Sequence, residues 1–194
     1  MGRIEIMKID RLKEISKDIY QTSVEHGWHE KKQSSLVYMC LVMSEVAEAV
    51  EADRAGLFGH TDEWKRLFEE HQDPEWHHNF YEEFIKVSRE AEMADIVIRL
   101  LDYASEQFGD KMDSAYEMES TQRSLFDSPL YKEFSMNAWI FTKYVLNSTS
   151  IDVVASIRYI YNWAEQLGFD LDWHINEKMK YNRTRPYKHG GKKY

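Results

Sequence analysis

Two short acidic motifs set inside apolar runs constrain this chain more than any other feature. The first is Ser44-Glu45-Val46-Ala47-Glu48, preceded by the apolar run from Leu36 to Met43. The second is Glu92-Met93-Ala94-Asp95, followed by Ile96-Val97-Ile98 and Leu100-Leu101. A spacing of i, i+3 places both members of each pair on one face of a helix. Each pair then lies beside core-facing apolar surface. Like charges in such surroundings are costly unless compensated, and divalent cations are the usual compensation. Hard oxygen donors with no cysteine close by suit Mg²⁺ or Mn²⁺ rather than zinc. A salt-bridged helix surface is the competing explanation of the same spacing.

The rest of the chain reads as helix as well. Only three Pro and eight Gly in 194 residues leave room for long helices, and no segment alternates as a strand would. The pattern predicts a first helix from Ile4 to about Val24, stopped at Gly27. A second starts at Ser34 or Ser35 and stops at Gly56. Thr61 starts a short third through Glu70, and Asp73-Pro74 is a cap and first position for the next. That pattern runs to Gly109 with a break near Ser88. Ser128-Pro129 starts a helix ending near Asn147, Ser150 one ending at Gly168, and Asp170 the last, to about Asn182. The fold class is therefore all-α, a helical bundle in a single domain over residues 1–194.

Composition bounds the partners. Hydrophobic residues make up 43% and charged residues 30%, as in a folded water-soluble protein. No apolar run has transmembrane length and no signal-peptide pattern opens the chain, so a cytoplasmic protein without a membrane partner is expected. The single cysteine, Cys40, excludes an internal disulfide. Its apolar neighbours predict a buried small side chain. The net charge is −9, yet residues 183–194 carry Arg183, Arg185, Lys188, Lys192 and Lys193 with no acid, so the remainder carries −14. An acidic body does not suit duplex nucleic acid. A basic tail upon it suits a small polyanion held beside bound metal, although its last residues also fit a solvated terminus.

A weak internal repeat runs through the second half. Ile98-Arg99 and Glu106-Gln107-Phe108-Gly109 recur 59 residues later as Ile157-Arg158 and Glu165-Gln166-Leu167-Gly168, and Asp113 recurs as Asp172. Asp102 corresponds to Tyr161, so the second copy lacks the acids. This is the pattern of a duplicated helical hairpin with one degenerate half; chance likeness between amphipathic helices is the alternative.

Further residues are candidates for chemistry. Lys178 and Asn182, at i, i+4, and then Arg185 can share one side of the last helix end, where they suit phosphate oxygens or a sugar hydroxyl. Helix C-termini also favour cations for their dipole alone. Gly27-Trp28-His29 lies in the first interhelical loop, where Trp28 either stacks on a base or closes the core. Asp102 lies two turns beyond Asp95 on nearly the same face, as an outer acid or a partner of Arg99. The aromatics between Leu57 and Ser88 pack that segment onto the core. Its Glu75-Trp76-His77-His78 holds one ExxH, where a di-iron bundle needs two.

Taken together, Ser44-Glu45-Val46-Ala47-Glu48-Ala49, the run from Glu92 to Asp102 and the run from Glu177 to Lys192 resemble the MazG-like all-α nucleoside triphosphate pyrophosphohydrolases. The Gly27-Trp28-His29 entry to the second helix is similar too. The resemblance covers about residues 10–56, 88–115 and 150–192. It implies a Mg²⁺-dependent hydrolase, with Mn²⁺ a possible substitute, that converts an NTP or dNTP to the monophosphate and pyrophosphate. It implies metal ligation by Glu45, Glu48, Glu92 and Asp95, and substrate contacts from Lys178, Asn182, Arg185, Trp28 and His29. Among the catalytic glutamates, Glu48 or Glu45, the first is favoured to activate water. A homo-oligomer, dimer or tetramer, is implied as well. Two departures stand out: an aromatic-rich insert at about 57–88 and an extra helical segment at about 116–150. The rival expectations are a catalytically silent nucleotide-binding relative and a structural helical interaction protein.

Overall fold

The computed structural model describes residues 9–59, 61–71, 73–121, 130–145 and 149–192. Among these residues all regular structure is helical, with no strand. No helix among them is long and apolar enough to cross a membrane.

The helices are α1 (Ile9–Glu25), α2 (Ser35–Ala55), α3 (Thr61–Glu70), α4 (Pro74–Phe80), α5 (Arg89–Phe108), α6 (Lys111–Thr121), α7 (Phe134–Val145), α8 (Ser150–Leu167) and α9 (Leu171–Thr184). A π-turn (Tyr81–Ile85) continues α4, and a short turn (Lys188–Gly191) follows α9. The expected start of the first helix at Ile4, and the Ser128-Pro129 start and Asn147 end of another, lie outside the described residues.

Local signals explain most boundaries. Asp73 accepts from the Trp76 N–H at 2.7 Å and Asp170 from the Trp173 N–H at 3.0 Å. Thr149 and Asp152 form a reciprocal capping box at the start of α8. Gly56 adopts a left-handed φ of 69°, so the Leu57 N–H reaches the Ala52 carbonyl at 2.9 Å and closes α2. One boundary differs from the pattern. The described part of α7 begins at Phe134, because the Asn137 amide bonds both the N–H and the carbonyl of Tyr131, at 2.8 and 2.9 Å, and holds the entry as a loop.

The core is built around α5. Its Met93, Ala94, Ile96, Val97, Leu100, Leu101 and Ala104 are all buried, and it packs on α1, α2, α8 and α9. A helix buried over most of its circumference belongs at the centre of a bundle, and its remaining face carries Glu92, Asp95, Arg99 and Asp102. Burying each large side chain there contributes roughly 1.5–3 kcal/mol. The segments α5–α6 and α8–α9 pack together, α5 on α9 and α6 on α8. Tyr161, in the position corresponding to Asp102, donates to Asp172 at 2.6 Å. Trp64, Phe68, Tyr81 and Ile85, from the segment between α2 and α5, form a separate cluster against Ala91 and Tyr181.

Cys40 is exposed, not buried as its neighbours suggest. The run from Leu36 to Met43 is apolar on all sides, and α2 turns Leu36 (81% exposed) and Cys40 outward while Met39 and Val42 face the core.

Candidate functional site

Packing of α2 along α5 brings the two acidic motifs face to face. Carboxylate oxygens of Glu45, Glu48 and Glu92 lie within 4.8 Å of one another. Glu45 and Glu92 are buried, whereas Glu48 is exposed. Asp95, one turn along α5 from Glu92, accepts a hydrogen bond from the Lys178 ammonium, itself buried on α9. The four expected acids are thus arranged as a converging trio and a neighbour already paired to a cation. Arg99, one further turn along, donates its Nε–H to Glu45 at 3.0 Å.

The electrostatics follow from this crowding. Burial, then repulsion from Asp95, pushes Glu92 up to about 8, against the pull of Lys178. Burial, then Asp95, pushes Glu45 up to about 7, against the pull of Arg99. The cluster therefore has a strong demand for positive charge, and its all-oxygen donor set suits a hard divalent cation.

A cavity of about 210 Å³ opens beside the acids, lined also by Asp95, Asp102, Lys86, Lys178, Asn182 and Arg185. Ile19, Val37, Leu41 and Met179 give it an apolar side. The buried amide oxygen of Asn182 has no hydrogen-bond partner among the described residues, which leaves an acceptor in the wall. Trp28 lines the cavity, half-buried, with the His189 ring edge-on at 5.1 Å. Burial, reinforced by Arg185 and Arg99, holds His189 down at about 3 and hence neutral near pH 7.

His29, expected at the substrate, does not line this cavity. Its Nε2 lies 2.8 Å from Asp102 and its Nδ1 3.2 Å from Glu106, and its side chain is only 5% exposed. Burial disfavours the imidazolium, but Asp102 and Glu106 outweigh it and raise the pKa. His29 thus orients Asp102 from behind.

The basic C-terminal segment folds back over the same opening. The Lys188 N–H donates to the His26 carbonyl at 3.1 Å, the Lys188 ammonium meets Glu30 at 2.6 Å, and the Tyr187 hydroxyl donates to Glu30. Lys188 and His189 both hold positive φ, at 45° and 47°. Such backbone costs about 1–3 kcal/mol per residue and persists where surroundings enforce it, commonly at ligand sites. Gly27, with φ at 79°, lies so close beneath that a Cβ there would collide with the Tyr187 ring.

Comparison with protein-family profiles, curated proteins and solved structures finds no match for this chain.

The sequence pattern brought the acids, Lys178, Asn182, Arg185 and Trp28 to notice, and all of them line this cavity. It missed Lys86, His26 and His189, and the pairing of Lys178 with Asp95. For Arg99 a signal existed: it follows Glu92 by seven residues and Asp95 by four, on their helix face.

Proposed function

We propose that this chain is a Mg²⁺-dependent nucleoside triphosphate pyrophosphohydrolase of the all-α, MazG-like kind, hydrolysing an NTP or dNTP to the monophosphate and pyrophosphate. One observation carries the reading: carboxylates from two separate helices converge on a cavity that Lys178, Asn182 and Arg185 of a third helical segment also line. Acids alone would suit a cation, and cations alone an anion. Their combination around one cavity suits a metal–polyphosphate.

Glu45, Glu48 and Glu92 would hold Mg²⁺, with Asp95 completing the anionic set. Bound there, the metal supplies neutralisation of the phosphate chain and acidification of water. The chain's own groups do the rest. Glu48, the exposed member of the trio, accepts the proton of the attacking water. The water oxygen bonds to phosphorus, the bond from that phosphorus to the bridging oxygen breaks, and pyrophosphate leaves with the electron pair. Lys178 and Arg185 bind phosphate oxygens through charge-assisted hydrogen bonds. The unpartnered Asn182 oxygen accepts from a sugar hydroxyl, and Trp28 offers its ring to the base.

The test is a hydrolysis screen over all NTPs and dNTPs, with Mg²⁺ and with excess chelator. Turnover of at least one triphosphate that vanishes with chelator is expected. Hydrolysis of none, or hydrolysis indifferent to chelator, overturns the proposal.

A further inference from the structure

The inserted segment does more than pack aromatics: it delivers a cation to the site. We propose that Lys86 is a substrate-binding residue that exchanges its resting partner, Glu82, for a phosphate oxygen of the triphosphate chain. This rests on the functional reading above and adds a residue from outside its motifs.

The placement comes from the π-turn. The Lys86 N–H bonds the Tyr81 carbonyl, five residues back, at 2.9 Å, where an α-helix would reach only four. Such wide turns recur at functional sites because they re-aim the side chains that follow. The chain then breaks, and Ser88 accepts from the Ala91 N–H at 3.3 Å to start α5, the helix of Glu92 and Asp95. Lys86 is thereby fixed just ahead of those acids and lines their cavity.

A shared ring organises the cations. The Tyr181 ring stacks on buried Tyr81 at 4.9 Å. Around it lie Lys86 at 5.7 Å, Arg185 at 5.5 Å and Lys178 at 5.9 Å from its centroid. Three cavity-lining cations are thus rooted on one aromatic side chain. Lys178 shares its charge between Asp95 and the cavity. Among the described residues the carboxylate that holds Lys86 is Glu82, at 2.9 Å, an i, i+4 pair whose side chains are 35% and 48% exposed. Exposed pairs of that kind contribute little, so a phosphate oxygen can displace Glu82 at small cost.

The probe is inorganic tripolyphosphate with Mg²⁺, titrated calorimetrically into the full chain. Lys86→Gln is expected to weaken binding by roughly 5–20-fold, the scale of one charged hydrogen bond at a partly exposed site. Lys86→Arg keeps most of the affinity. Lys180→Gln, which removes an α9 lysine paired to Glu177 and outside the cavity, leaves it unchanged. Glu82→Gln releases Lys86 and leaves affinity equal or tighter. Where triphosphate is hydrolysed, Lys86→Gln raises KM with kcat nearly constant. If wild type binds tripolyphosphate and Lys86→Gln binds it equally well, this inference is overturned and the functional reading stands. If Glu82→Gln loses affinity as Lys86→Gln does, the pair is a structural brace and the inference is again overturned. If wild type hydrolyses a triphosphate yet binds no tripolyphosphate with Mg²⁺, this inference is overturned and the functional reading stands; if it neither binds nor hydrolyses, both fall.

Discussion

The Nε–H of Arg99 points at Oε1 of Glu45 across 3.0 Å, tying α5 to α2 within the acid cluster. Glu45 otherwise faces Asp95 and Glu48, both of which oppose its ionisation. Arg99→Gln is therefore expected to lower stability by about 1–2 kcal/mol in chelator. Added Mg²⁺ should reduce that deficit, because it supplies the missing charge. Urea unfolding with chelator and with Mg²⁺ checks this; an equal deficit in both would show that Arg99 acts independently of cation binding.

Replacing Glu45, Glu48, Glu92 or Asp95 singly by Ala should reduce turnover by at least ~100-fold, the scale for losing a metal or its orientation. The same variants should lose the thermal stabilisation that Mg²⁺ gives wild type. Without metal, Glu92→Ala should melt no lower than wild type, since it relieves repulsion in a buried cluster. Wild-type turnover in Glu45→Ala or Asp95→Ala would remove the site from consideration.

Arg185→Ala should weaken substrate affinity by roughly 1.5–3 kcal/mol and barely change the melt. Truncation after Gly190 should do less, since it spares Lys188 and its bonds to His26 and Glu30. Gly27→Ala disturbs the same strap from below. Its positive φ costs about 1 kcal/mol, and its Cβ displaces the hydroxyl end of Tyr187, which bonds Glu30. KM should rise in Gly27→Ala, and in a Tyr187→Ala background the same change should leave KM where that background set it. Additive effects on KM would separate Gly27 from the strap.

His174 supplies a pH dependence. Burial holds its pKa down to about 3, with Asp170 opposing and Lys65 assisting, and neither ring nitrogen has a hydrogen-bond partner among the described residues. Between about pH 3 and 6.5 the unfolded chain binds a proton there that the folded chain does not. Its contribution is therefore fully present above about pH 6.5 and is lost as pH falls through that window. His174→Leu should lose less stability than wild type between pH 7 and pH 5, by about 1–2 kcal/mol. Equal losses in urea titrations at the two values would assign the acid sensitivity elsewhere.

The acid pairs, Gly56 and Gly168, and the caps at Asp73 and Asp170 were legible because each acts within a turn or two of chain, whereas the cap of α8 is Thr149, one residue ahead of the expected Ser150. The convergence of α2 on α5 was legible only as an inference from charge: two acidic pairs in apolar runs need a common partner. Cys40 was misjudged because an all-round apolar helix has no periodic stripe to mark its inner face. The Asn137 bonds to Tyr131 delay α7 through a side chain that no propensity describes. Lys86 was invisible because its direction depends on a π-turn, and His29 because its partners Asp102 and Glu106 lie far along the chain.

The central claim is the bond that is cut. Ion-exchange chromatography of the reaction with Mg²⁺ and the best triphosphate, sampled at early times, tests it most directly. The account predicts equal amounts of nucleoside monophosphate and pyrophosphate, with neither formed by Glu48→Gln at a comparable rate. Nucleoside diphosphate with orthophosphate as the first products, or no product at all, would contradict it.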